Sequence, residues 1–131
     1  MSDMAIFLRG ETVSLRPIEL ADVPVVVRWI NDPETRRWLG RIWPFNQLVE
    51  EEWIRQKYKQ TPPSDLTFAI VLNEGDRHIG NIGIHGIDWV NRCAQTGMLI
   101  GEKDCRGKGY GPAAKEVLLT YAFTSMNLAP I

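Results

Sequence analysis

The chain is poor in the residues that carry metal and thiol chemistry, with two cysteines and two histidines among 131 residues. Cys93 and Cys105 are too few for a disulfide framework and too far apart for a clustered metal-binding pair, so both read as reduced, structural thiols. His78 and His85 do not form a His-x-x-x-His pair, and no Gly-x-Ser-x-Gly elbow occurs. Metal hydrolysis and serine hydrolysis therefore have no support, and no metal is expected. Excess charge is missing as well: fifteen basic and sixteen acidic side chains leave a formal charge of -1. No global field draws in nucleic acid or an anionic membrane, so neither is expected as a partner. No apolar run approaches the length of a membrane span, and residues 1–10 carry Asp3 where a signal peptide would be basic. The expected location is the cytoplasm.

What is present suits one soluble globular domain over residues 1–131, with 44% hydrophobic and 24% charged side chains. Residues 11–18 alternate around Val13 and Leu15 and end at Pro17, which predicts a first strand. Asp22 precedes a helix with Pro24 in its first turn and a stripe of Val26, Trp29 and Ile30. Asp32 and Pro33 start a second, brief helix. A loop with Trp43, Pro44 and Phe45 follows, and Asn46 can cap a third helix whose acidic start and basic end complement its dipole. Residues 66–72 are apolar at nearly every position and predict a strand covered on both faces. A turn at Gly75 leads to a strand over 78–89, where the isoleucines change parity among Gly80, Gly83 and Gly86. Period-two alternation cannot survive that change, so a bulge or sharp bend is expected there. A fourth strand spans 93–100, and a helix from about Pro112 to Met126 lines up Ala114, Val117, Leu118, Tyr121 and Ala122.

Between the fourth strand and that helix lies Cys105-Arg-Gly-Lys-Gly-Tyr-Gly-Pro, with glycines at 107, 109 and 111. Glycine leaves its amide uncovered and accepts positive φ, so successive N–H groups can converge on an oxyanion. The helix behind adds unpaired donors and its positive dipole end, and Arg106 and Lys108 add full charges. The loop reads as a pyrophosphate seat, with a ligand-free glycine turn as the alternative. It is not a P-loop, because Lys108 precedes its glycine, nor a dinucleotide fingerprint, which would need glycine at Pro112.

Arg-x-x-Gly-x-Gly over Arg106 to Gly111 resembles the coenzyme A signature of the GCN5-related N-acetyltransferases. Three further stretches carry the likeness: Val-Ser-Leu-Arg-Pro at 13–17, Trp-Ile-Asn-Asp-Pro at 29–33, and a block over 78–123 with Ile-Gly-Asn-Ile-Gly-Ile and Ile-Gly-Glu-Lys in the family's order. The ribosomal-protein N-terminal acetyltransferase subgroup, the RimJ/RimL-like one, matches best. The resemblance implies an α+β fold: a mixed sheet with four antiparallel strands and flanking helices. Because the chain stops at Ile131, the expected sheet is truncated before the fifth strand and the domain lacks its C-terminal part. The fourth strand would then expose an edge and favour self-association.

The implied activity is transfer of an acetyl group from acetyl-CoA, the acyl-donor substrate, to a primary amine on a protein N-terminus or a small molecule, by direct attack. The pantetheine arm maps onto Met98, Leu99 and Ile100, with an amide near Leu99 polarising the thioester carbonyl. The pyrophosphate maps onto Arg106, Gly107, Lys108, Gly109, Tyr110 and Gly111. Trp38 and Trp43 are candidate walls of the acceptor site. The catalytic residues stay open. Gln95 stands where the subgroup commonly has glutamate, and a neutral amide cannot accept the amine's proton. A water chain, His85 or an acid elsewhere must take it, although His85 has no partner visible in sequence and a structural role for it is favoured. A catalytically silent acyl-CoA-binding or assembly module is the alternative function.

Overall fold

The computed structural model describes residues 4–39, 44, 46–59 and 61–129. Two compact units divide the chain, one made of Met1–Pro17 with Pro62–Ile131 and the other of Ile18–Thr61.

The first unit is built on a five-stranded sheet in the order β1-β2-β3-β4-β5, made of Leu8–Arg9, Val13–Pro17, Leu66–Leu72, His78–Asp88 and Cys93–Ile100. Every neighbouring pair is antiparallel. The expected mixed sheet truncated before a fifth strand is thus corrected: the described residues form five strands, with no parallel pair among them. The strand missing from the sequence reading is β1, whose two residues are too short to show any alternation. Just before it, the Phe7 N–H donates to the Leu15 carbonyl at 2.9 Å and the Phe7 ring stacks on Phe68 at 5.9 Å.

Side-chain alternation divides this sheet into two unlike faces. Leu15, Phe68, Ile70, Ile82 and Ile84 lie on one and are buried, where they form the core with Ala114, Leu118 and Ala122 of helix α4, Tyr110–Thr124. Those three helical residues recur at i, i+4 and i+8 and are fully buried, as an apolar stripe facing a sheet requires. The helix begins two residues earlier than its sequence suggests, with Gly109 as its N-cap and Pro112 at the third helical position. Proline is tolerated there because an amide in the first turn has no intrahelical acceptor.

The bulge expected in the third predicted strand falls in β4, between His85 and Asp88. Gly86 takes φ +59° there, and the Asp65 carboxylate accepts its N–H at 3.0 Å. A second register shift lies between Ile70 and Val71. The β4–β5 turn is closed by Asp88, which accepts the amides of Val90 and Asn91 at 3.0 Å each. Those bonds, with the Asn91 side chain, hold the Asp88 carboxyl below the usual range.

The second unit contains α1 Val23–Asn31, α2 Pro33–Leu39 and α3 Gln47–Lys57. Two of its caps follow the sequence, whereas the Asp22 side chain, expected to cap α1, makes no cap bond there and accepts the Glu19 amide at 2.8 Å. Asp32 Oδ2 accepts the Thr35 amide at 3.1 Å, and Asn46 Oδ1 accepts the Val49 amide at 3.0 Å. Trp29 is buried, as its place on the apolar stripe implies.

Candidate active site

Gly107 and Gly109 have φ of +74° and +83°, the left-handed region, and a methyl group at either would meet nothing within 4 Å. The two residues therefore present bare backbone to open space, ahead of a helix whose first turn leaves its amides without partners. None of the loop and turn backbone bonds among the described residues is donated by Gly107 or Gly109. Gly111 serves a different purpose: it is buried, and a methyl group there would come within 3.1 Å of Met98 Cε. It lets α4 sit close to β5. The cradle fits a diphosphate in shape and donors.

The side chains around the loop divide between exposed and structurally engaged ones. Lys108 is exposed, whereas Arg106 Nε donates to the Ile100 carbonyl at 2.9 Å and ties the loop to the end of β5. Arg77, not singled out by sequence reasoning, braces the turn just before it. Its guanidinium forks onto Asp104 at 2.8 and 2.9 Å and reaches Glu102 at 3.1 Å. That fork holds Asp104 below the usual carboxylate range and raises the Arg77 pKa further. Burial raises the Cys105 thiol, in keeping with a structural role.

Because β5 ends the sheet, one row of its backbone groups has no strand to pair with among the described residues. The Gly101 amide donates to the Ile79 carbonyl at 2.8 Å, which fixes the phase of the ladder. In an antiparallel pair, hydrogen-bonded positions alternate with unbonded ones. Residues paired as Asn81↔Leu99, Gly83↔Gly97 and His85↔Gln95 therefore turn their amides inward, and Thr96, Met98 and Ile100 turn theirs outward. The free edge is thus offered by Met98 and Ile100, while the Leu99 amide is directed at β4. The outward Ile100 carbonyl is the one that Arg106 takes up.

The sheet face opposite the apolar core carries small and polar residues at its centre. Thr67, Gly83, His85, Gln95 and Gly97 share it, since Thr67 pairs with Gly83, Gly83 with Gly97 and His85 with Gln95. Two opposed glycines leave a hollow, and the His85 ring lies in it. Methyl groups on Gly83 and Gly97 would each stand 3.1 Å from His85 Nε2. At the other side of the ring, Nδ1 is 3.6 Å from Asp65 Oδ1. The structure therefore brings His85 and Gln95 together and supplies His85 with the partner its sequence did not reveal. Asp65 was missed because it lies twenty residues away and meets His85 only through the β3–β4 register. Trp43 lies outside the described residues, and of Trp38 only the backbone in α2 is described.

No group of three His, Cys, Asp or Glu among the described residues could hold a metal ion. No helix among them is long and apolar enough to cross a membrane.

Comparison with known proteins supplies the relations of this arrangement. A model of the acetyltransferase (GNAT) domain matches residues 12–131. The chain is 32% identical over 123 residues to Uncharacterized N-acetyltransferase p20 of Bacillus licheniformis, an alignment covering 92% of the chain and 68% of that protein. An N-acetyltransferase 9-like protein of Caenorhabditis briggsae is 26% identical over 92% of the chain and 64% of its own length. The chain thus spans about two thirds of the length of these relatives. Among solved structures, the RimL ribosomal L7/L12 alpha-N-protein acetyltransferase superposes with a TM-score of 0.77 at 16% identity, covering 95% of the chain and 68% of that structure. At such identity the likeness shows the fold alone.

Proposed function

Since the chain belongs to the GNAT acetyltransferase family and is an N-acetyltransferase by class, we propose that it moves an acetyl group from acetyl-CoA to a primary amine by direct attack. The observation that carries this reading is the pair of left-handed glycines, Gly107 and Gly109, open to solvent immediately before α4. Amides of the loop and first helical turn hold the diphosphate, with Lys108 adding charge. The arm of the carrier then runs as an extra strand along the outward groups of Met98 and Ile100, and the Met98 amide faces the thioester carbonyl. Binding the remote phosphates positions the reactive end, so orientation supplies most of the acceleration. The two compact units work together as one acyltransferase domain in the cytoplasm.

The acceptor is a primary amine on a protein N-terminus or a small molecule. Relatives of this fold include a RimL ribosomal-protein acetyltransferase and a spermidine N-acetyltransferase chimera, both below 25% identity. Neither subgroup is favoured over the other on that basis. The β5 edge that receives the arm is also the surface through which two copies would pair, so self-association and acetyl-CoA compete for it.

Titration of the purified chain with CoA and acetyl-CoA, followed by thiol release with a panel of amines, tests the assignment. Gly109→Trp is expected to abolish CoA binding while the chain stays folded; unchanged affinity would overturn the placement of the diphosphate. Binding without turnover would favour a silent acyl-CoA-binding module.

A further inference from the structure

We propose that His85, oriented by Asp65, is the base that receives the acceptor's proton, and that the reacting amine sits against the His85 ring on the sheet face that carries Gly83, Gly97 and Thr67. This rests on the acetyl-transfer reading above and goes further, by naming the groups that replace the carboxylate absent at Gln95.

Four observations converge on it. The Asp65 carboxylate is fixed by the Gly86 amide at 3.0 Å and stands 3.6 Å from His85 Nδ1, which puts the carboxylate on the Nδ1 side of the ring and leaves Nε2 on the other. The β4 bulge is what brings these groups together, since Gly86 at φ +59° turns its amide onto Asp65. Nε2 in turn lies over the opposed glycines, 3.1 Å from where either methyl would be. Any larger residue at these two positions would fill the space beside the base. Finally, Thr67 Oγ1 is buried with no hydrogen-bond partner among the described residues, and it projects from the same face one strand away. A buried hydroxyl without a partner is costly, and an acceptor ammonium beside the ring would satisfy it.

The hollow opens toward the outer edge of the sheet. Gly97 is on β5, the His85 side chain is 44% exposed, and Gln95 beside it is exposed. The ring is therefore partly open to solvent and, over Gly97, lies one strand width from the proposed arm. The charged group paired with the ring is Asp65, and the facing positions on β5, Gln95 and Gly97, are neutral.

The proton and electron account closes without an added reactant. His85 Nε2 takes one proton from the acceptor ammonium. The freed nitrogen lone pair forms a bond to the thioester carbonyl carbon, the carbon–sulfur bond breaks, and sulfur leaves with its electron pair. The nitrogen's second proton goes to the sulfur, giving free thiol, and His85 returns its proton to water. Asp65 touches neither substrate and is a positioning residue.

The test measures CoA affinity and amine acetylation together, across pH, for wild type, His85→Gln and Asp65→Asn, with melting curves as a fold control. Both variants are expected to bind CoA as wild type does. His85→Gln should lose roughly a hundredfold in kcat, the scale of general base catalysis, together with the acidic limb of the pH–rate profile. Asp65→Asn should keep that limb but displace it, with a smaller loss of kcat and little change in KM. Failure of wild type to bind CoA would sink the parent reading and the dyad with it. Turnover that His85→Gln leaves unchanged in rate and profile would sink the dyad alone, as would CoA binding without acetylation of any amine. Should either variant unfold, Gly97→Ala gives the same readout by crowding Nε2, and unaltered turnover there would count against the proposal.

Discussion

The two faces of the β3–β5 sheet are made by the same strands and do opposite things. Toward α4 the alternate positions are Phe68, Ile70, Ile82 and Ile84, all buried and packed against Ala114, Leu118 and Ala122. On the other face the same strands present Thr67, Gly83, His85, Gln95 and Gly97. A period of two residues lets one segment supply core on one side and a polar, glycine-lined surface on the other, because neighbouring side chains never share a face. The lesson is that the glycines of β4 and β5 are not weaknesses in a strand. They are the space in which the His85 ring lies.

The comparison breaks most sharply on the apolar side. Leu118 is fully buried in the core cluster, and Leu118→Ala should destabilise the fold by about 2–5 kcal/mol, the range for deleting a buried leucine side chain. Chemical denaturation measures this directly. CoA affinity of the remaining folded molecules should be unchanged, since Leu118 lies two turns beyond the loop. A large affinity loss at a temperature where the variant is folded would show that the faces are not independent.

A finer cut separates the two glycines of the hollow. A methyl group at Gly83 would come within 2.7 Å of His85 Cε1 and 2.8 Å of the Leu66 carbonyl oxygen. Backbone cannot yield as a side chain does, so Gly83→Ala should cost about 1–3 kcal/mol, as overpacking does. At Gly97 the nearest atoms belong only to the His85 ring, at 3.1 and 3.2 Å. Gly97→Ala should therefore leave the melting temperature almost unmoved yet reduce turnover by displacing the ring. Equal stability losses in the two variants would mean that the hollow is packing space alone.

How much of this was legible beforehand follows from the range of the interactions. The open glycine loop, the caps at Asp32 and Asn46, and the strands Leu66–Leu72 and Cys93–Ile100 are set by neighbours in sequence, and each was readable from spacing. The parity change among the isoleucines announced the β4 bulge, though not that Gly86 would hold it. What could not be read is set by register. Asp65 meets His85, and the outward phase falls on Met98 and Ile100, only once β4 is paired on both sides. β1 escaped notice because two residues cannot display a period. The truncated mixed sheet was inferred from family resemblance and chain length, neither of which reports strand pairing.

The smallest expected effect concerns Arg77, whose ties lie at the sheet's end and belong to neither face. Its guanidinium holds the 103–105 turn through Asp104 and Glu102, and that turn leads into the glycine loop. The Asp104 carboxyl titrates below its ordinary value in the fold because Arg77 bonds it. Stability from this source is accordingly present above the unfolded carboxylate pKa and lost as pH falls through the lower folded value. Arg77 is shifted upward, so its own contribution persists throughout the accessible range and would disappear only in strong alkali. Both groups are exposed, so the pair is screened by solvent and salt. Arg77→Gln should lower the melting temperature slightly at pH 7 in low salt, and the gap from wild type should narrow in 1 M salt and again toward pH 2. A gap that stayed constant through the acid range would locate the effect of Arg77 in packing of its stem instead of in its charge.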